Sequence, residues 1–398
     1  MKKYYLPNCN ILDITTGKWL KDKAILIEGE LITNIVASNE IERSFEIVDL
    51  EGSWVLPGLV DAHVHLCHEG GHNLAREFSY AESDIYATLR TAKNLTIALN
   101  SGITLLRDAG SFKRRGIKIK KALDEGIFVG PKIISCGNLL TSPEGHVHEI
   151  GKEVRGVENC KKAVRREIRN GADFVKVTND PIGLSIEELK AIVEEAHKFR
   201  KMVACHAFTE ESVQMALDAN VDTIEHGAPF NKEMVEQMKR QKTIIVPTFY
   251  CAIETCRDIT KSLIKKEELP TFEQWLEDLK CNLPMAINSG VKIATGTDAG
   301  NPPLEFDAVI GEIKSLENIG APPLQALQYA TKYSAEACGL GDRYGEIQKG
   351  KNASLIVLPK NPLSNIDVLH DVILVIKDGI LINPTKLGYP NTSIHHRG

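Results

Sequence analysis

His63 and His65 stand two residues apart in the run GLVDAHVH. Side chains alternate along an extended strand, so both imidazoles fall on one side of it and converge. A His-x-His pair arises often enough by chance that it identifies nothing alone. Three further residues join it. His206 closes the run MVACHA, His226 lies in DTIEHG, and Asp298 ends VKIATGTD. Imidazole nitrogens with one carboxylate suit zinc or a similar divalent ion. Lys176 sits inside DFVKVT, between Val175 and Val177. An ammonium on a buried strand must find a partner or lose its proton, because burying the charge is costly. A neutral lysine amine is nucleophilic and takes up carbon dioxide as a carbamate, whose two oxygens can bridge two metals. The competing reading is an interior ion pair, with Asp298 as the partner.

These six residues need a scaffold that brings several strand ends together. Eight apolar, β-branched runs provide the strands: 58–65, 103–108, 132–137, 173–178, 202–207, 222–227, 243–248 and 291–298. Amphipathic stretches such as 185–201 and 231–241 lie between them, and a last one, 323–339, follows the eighth run. Strands separated by helical patterns imply βαβ units and a parallel sheet, and eight such units imply closure into a barrel. Several runs are apolar at nearly every position, as strands covered on both faces are. In such a barrel, chemistry sits at the C-terminal ends of the strands. The three strand ends named above put their histidines and Asp298 there.

The flanks have another texture. In KAILIEGELITNIV two strands turn around Glu28-Gly29-Glu30, and ASLIVL and VILVIKDGILI repeat the pattern near the other end. Neither flank has enough to pack against alone. The expected architecture is therefore α/β: a (β/α)8 TIM-type barrel over 57–344, with a small β-sandwich domain built from 1–56 and 345–398.

Composition narrows the function. Of 398 residues, 48 are Lys or Arg and 53 are Asp or Glu, a formal net charge of −5. That balance offers no field for nucleic acid or an anionic membrane surface. Nine cysteines without a CxxC pair read as reduced thiols. No apolar run approaches the roughly 18 residues that a membrane helix needs, and the N-terminus lacks a signal-peptide core. The expectation is a cytoplasmic protein.

The motifs together resemble the amidohydrolase superfamily. VLPGLVDAHVHL is similar to that family's entry strand, GADFVKV to its strand-four lysine segment, and ACHAF, TIEHG and ATGTDAG to its fifth, sixth and eighth strand ends. GEIQKGKNASLIVL resembles the segment returning to the family's small β domain, with Ser354 where aspartate is usual. GADFVKV is also similar to the branch of prolidase-like dipeptidases and carboxypeptidases, which overlaps imidazolonepropionase-related proteins. The TNDPIG run after Lys176 departs from that branch's glycine-rich loop.

The resemblance implies a metal-dependent hydrolase acting on a C–N amide bond of a small molecule: a dipeptide, an N-acyl amino acid or a cyclic amide. It implies two divalent ions, zinc foremost. His63, His65 and Asp298 would hold one, His206 and His226 the other, with carboxylated Lys176 bridging them. A metal-activated water would attack, and Asp298 would be the catalytic proton carrier. His146, in the loop TSPEGHVHEIG, matches a substrate-contacting histidine of the branch, with His148 able to exchange roles with it. Tyr250, in VPTFYC, is a candidate hydrogen-bond donor to a substrate carbonyl, against the plain reading of a packed tyrosine. Relatives often form oligomers, so a homo-oligomer stays open. Two rivals remain. One is a one-metal deaminase of a small heterocycle, disfavoured because Thr209 occupies the position where deaminases commonly carry a glutamate. The other is a non-catalytic scaffold, disfavoured because no ligand is missing. Arg107 and Asp108 read as a structural ion pair. His68, His72, His395, His396, Cys67 and Cys205 are left without a role.

Overall fold

The computed structural model describes residues 2–39, 44–70, 83–179, 183–257 and 269–384. Seven parallel barrel strands follow in chain order: Leu59–Val64, Ile103–Asp108, Lys132–Ser135, Val175–Thr178, Val203–His206, Thr223–Glu225 and Ile244–Val246. Almost every residue in them is buried, which explains their unbroken apolar, β-branched character. Leu140–Thr141 continues the third unit and pairs with the fourth strand at Val177.

The eighth position is irregular. Ile293 bridges to Ile245 on the seventh strand and Ala299 to Val64 on the first, closing the barrel. Between these bridges the segment still bonds to the first strand: Ala62 N donates to Thr295 O at 2.9 Å and Asp298 N to His63 O at 2.8 Å. The irregularity has a visible cause in Gly296, where a Cβ would lie 2.4 Å from a Val246 methyl and 2.7 Å from the His63 Cβ. Only glycine lets this segment pass so close to the histidine strand.

Helices cover the outside. The stretch expected over 185–201 is helical over Ile186–Lys198, started by a capping box between Ser185 and Glu188. It stops early because Arg200 turns into the left-handed region, φ 55°. Asn231 caps Lys232–Gln241 by accepting from Met234 N at 3.0 Å. The long helix expected over 323–339 is instead Pro323–Gln328, a wide π-type turn over Tyr329–Tyr333, and Ser334–Ala337. Thr295 of the eighth segment causes the widening. Its N–H donates to Tyr329 O and to Ser334 Oγ, which competes with the helix's own ladder.

The flanking strands join one mixed eight-stranded sheet. Trp54–Pro57 pairs with Lys3–Leu12 on one side and Leu355–Leu358 on the other. Trp19–Glu28 and Leu31–Ala37 form the antiparallel pair expected around Gly29. Leu6, Ile11, Ile25, Ile27, Val55, Leu355 and Ile376 give this sheet its own apolar core, separate from that of the barrel. All nine cysteines are free, in line with the expected reduced thiols. Among the described residues, no helix is long and apolar enough to cross a membrane.

Candidate metal centre and active site

The strands deliver their chemistry to one end of the barrel. His63 Nε2 lies 3.6 Å and His65 Nε2 3.2 Å from Asp298 Oδ1. The candidate ligand atoms of these three residues all lie within 4.8 Å of one another. His63 packs against His226 at 4.9 Å between ring centroids, and His226 against His206 at 4.5 Å. His226 and Asp298 both adopt left-handed backbone, at φ 67° and φ 60°. Such strained positions gather at sites the surrounding structure over-determines.

Acceptors behind the rings set their tautomers. His63 Nδ1–H donates to Glu225 Oε2 at 2.6 Å, and His65 Nδ1–H donates to the Gly110 carbonyl at 3.0 Å. Neither partner can return a proton, so in the neutral rings both Nε2 lone pairs are left facing Asp298. Burial, with the Lys176 charge beside it, lowers His63 to about 4, so this ring is neutral in the physiological range. Burial first, then neighbouring positive groups, hold His206 and His226 well below the usual histidine value. Burial would raise the Asp298 carboxyl, and only positive charge on the His65 and His63 side holds it well below the ordinary range, a charge that neutral rings leave to a bound cation. Lone pairs and a carboxylate converging at 3.2–3.6 Å repel one another unless a cation sits among them. The group His63, His65 and Asp298 therefore fits a divalent metal ion.

Lys176 is 2% exposed, and its Nζ finds no hydrogen-bond partner. The ion pair with Asp298, the competing expectation, does not form. Burial lowers its pKa, opposed by the Glu225 charge.

Behind this layer lies an arrangement that sequence reasoning misread. Arg107 does not pair with Asp108. Its guanidinium donates to both carboxylate oxygens of Glu225, at 2.7 and 2.9 Å, to Thr223 Oγ1, and to the carbonyls of Ala62 and Ala337. Arginine is long enough to cross the barrel interior, which adjacency in sequence does not suggest. Asp108 instead accepts from Ser111, Ser135 and Leu66 N. Glu225 was visible within TIEHG yet given no part. The signal was there, since an acid on a buried strand needs a cation as much as Lys176 needs an anion. Asp61 ties the first strand to the eighth segment, accepting from Thr297 N at 3.0 Å and Thr297 Oγ1 at 2.6 Å, and burial raises its carboxyl to about 7.

His146 stacks on His206 at 4.2 Å, with its backbone carbonyl accepting from Thr141 and Thr178. It is exposed at the mouth of the site. His148 is also exposed, and its ring packs against its own turn at Gly145 O. Phe208, not expected, stacks on His226 at 5.0 Å and meets Trp275 edge-on at 4.9 Å. Tyr250 is half-buried against Gly311, where a Cβ would lie 2.3 Å from its ring. Its phenol pKa is raised by burial and then by Glu254. His68 is buried and stacks on the His65 ring at 5.1 Å. Burial and then the Asp108 charge push the Cys67 thiol up to about 11, and Cys205 donates to the His206 carbonyl. His72, His395, His396 and part of the loop after the fourth strand, 180–182, lie outside the described residues.

A parallel barrel carrying a His-x-His strand and an eighth-position aspartate defines a class of metal-dependent hydrolases, and comparison with known proteins agrees. The amidohydrolase family pattern matches residues 54–382, and the chain belongs to that family. It is 26% identical to ochratoxinase of Aspergillus niger over 89% of this chain and 81% of that protein. It is 24% identical to imidazolonepropionase of Thermoplasma volcanium over 85% and 84%. A solved Xaa-Pro dipeptidase with methionine in its active site superposes with a TM-score of 0.85, at 27% identity over 96% of this chain and all of that one. The chain is accordingly a hydrolase acting on carbon–nitrogen bonds.

Proposed function

We propose that the chain cleaves the amide bond of a dipeptide, an N-acyl amino acid or a related small amide, using two divalent ions, zinc foremost. The observation that carries this reading is the partnerless, buried Nζ of Lys176. A carbamate there would supply an anion where the fold leaves an orphan amine. His63, His65 and Asp298 would hold one ion, and His206 and His226 the other, with Lys176 spanning the two. When bound, the ions would supply a water nucleophile near neutral pH and polarise the scissile carbonyl.

The chain's own residues do the rest. Asp298 stays ionised at neutral pH, so it accepts the proton of the attacking water and passes it to the leaving nitrogen. Asn301 Nδ2 steadies that carboxylate at 2.7 Å. His146, exposed beside His206, is placed to hydrogen-bond a substrate carbonyl or carboxylate. The one-metal deaminase reading gains nothing, because Glu210 points away and accepts from Asn231 at 2.9 Å while Thr209 caps the following helix.

Two measurements test this. Metal analysis of zinc-loaded protein should give two ions per chain, and Lys176→Ala about one; a full complement in an active Lys176→Ala protein rules out the bridge. A panel of dipeptides, N-acyl amino acids and aminated heterocycles should show turnover on the amides. His146→Asn should lower kcat/KM on the best amide by roughly 10-fold or more, the loss expected when a site built to bond a polar group can no longer do so, with the metal content kept. The reading fails if ammonia release from heterocycles dominates.

A further inference from the structure

Thr248 follows the seventh strand and sits in left-handed backbone, φ 48° and ψ 41°. For a β-branched residue this conformation is costly. Thr248 is also the N-cap of the helix Phe249–Thr255, and a capping threonine normally turns its hydroxyl onto that helix's first N–H groups. Here it makes no such bond. Its Oγ1 lies instead 2.8 Å from His226 Nδ1.

The capping task passes to another element. Glu312, fully buried on the helix Val309–Asn318, accepts from Phe249 N at 3.1 Å and Tyr250 N at 2.6 Å, one on each carboxylate oxygen. A carboxylate reaching across from the helix after the eighth segment thus satisfies the donors that the threonine leaves open. The hydroxyl is released for the histidine. No local motif marks this pairing, since the two residues are far apart in sequence.

We propose that Glu312 and Thr248 are positioning residues for His226. The hydroxyl oxygen accepts a hydrogen bond from Nδ1–H, so that the Nε2 lone pair faces the centre, and Glu312 holds the strained turn that carries the hydroxyl. This deepens the two-ion reading above and rests on it for its consequence, but not for its geometry. His63 and His65 are fixed by acceptors that cannot donate, Glu225 and the Gly110 carbonyl. The His226 ring alone of these three depends on a hydroxyl, which can also donate. Its tautomer is therefore the one the surroundings must set.

The test uses the full chain labelled with ¹⁵N-histidine and freed of metal, with His226 assigned by its loss in His226→Gln. The wild type should show His226 protonated on Nδ1 alone. Thr248→Val keeps the shape and loses the hydroxyl, and should yield a mixture of tautomers, as should Glu312→Gln; Thr248→Ser should restore the wild-type signal. In zinc titrations against a chelator, Thr248→Val and Glu312→Gln should weaken one ion by about 10–100-fold, the usual effect of losing a partner behind a ligand. An unchanged His226 signal in both variants overturns the proposal, even where melting temperature falls, since that outcome leaves only helix capping. A wild type that binds one ion but shows the expected tautomers overturns the two-ion reading and keeps this one.

Discussion

Asp298→Asn is expected to lower kcat/KM on the best amide by at least about 10²–10⁴-fold, the contribution of general acid–base catalysis alone. The asparagine keeps the size of the side chain and loses both of its functions. It cannot carry a proton at neutral pH, and it offers a weaker oxygen to an ion shared with His63 and His65. The fold should survive, because the bonds that close the barrel here are backbone ones: Asp298 N to His63 O and His65 N to Ala299 O, both at 2.8 Å. Circular dichroism and thermal melting should therefore match the wild type while turnover collapses. Near-normal turnover in a folded Asp298→Asn protein would refute the proton-carrying role.

The second large effect falls on stability. Arg107→Met should cost about 3–5 kcal/mol, because it leaves the Glu225 charge buried without its cation. Both side chains are at most 1% exposed, so solvent screening offers no relief. The pH sign follows from Glu225. Burial would raise its pKa, but Arg107 first and then His63 hold it well below the ordinary 4.5. A depressed carboxyl contributes stability that is fully present above its unfolded value and is lost as pH falls through its folded one. The deficit of Arg107→Met should thus be largest at neutral pH and shrink in acid. Urea unfolding at two pH values reads this directly, and Arg107→Met with Glu225→Gln should recover most of the loss. A single variant within about 1 kcal/mol of wild type contradicts the account, since that is no more than an exposed ion pair contributes.

How far the sequence carried these conclusions depends on range. His63 and His65, and the strands holding Lys176 and His206, were legible because their signals are local: alternation, burial and an apolar surround. The turn at Gly29 is local for the same reason. The Arg107–Glu225 clamp was not legible, since its partners lie on strands far apart in the chain and meet only when the barrel closes. The break in the last helix was hidden likewise, because Thr295 imposes it from outside. Thr248 looked like part of a strand end, and nothing nearby in the sequence shows that Glu312 frees its hydroxyl. Phe208 was overlooked because a lone aromatic beside a ligand reads as packing.

One feature of the small sheet bears on how the chain is made. Trp54–Pro57 is paired on one side by Lys3–Leu12 but on the other by Leu355–Leu358, which follows about 300 residues later. At a synthesis rate of roughly 5–20 residues per second, that neighbour arrives about 15–60 s after the strand itself. Throughout that interval the emerging chain presents an open, apolar strand edge, the kind of surface that recruits other strands. The final strands act as a clasp that closes the sheet and ends a period of exposure set by the ribosome.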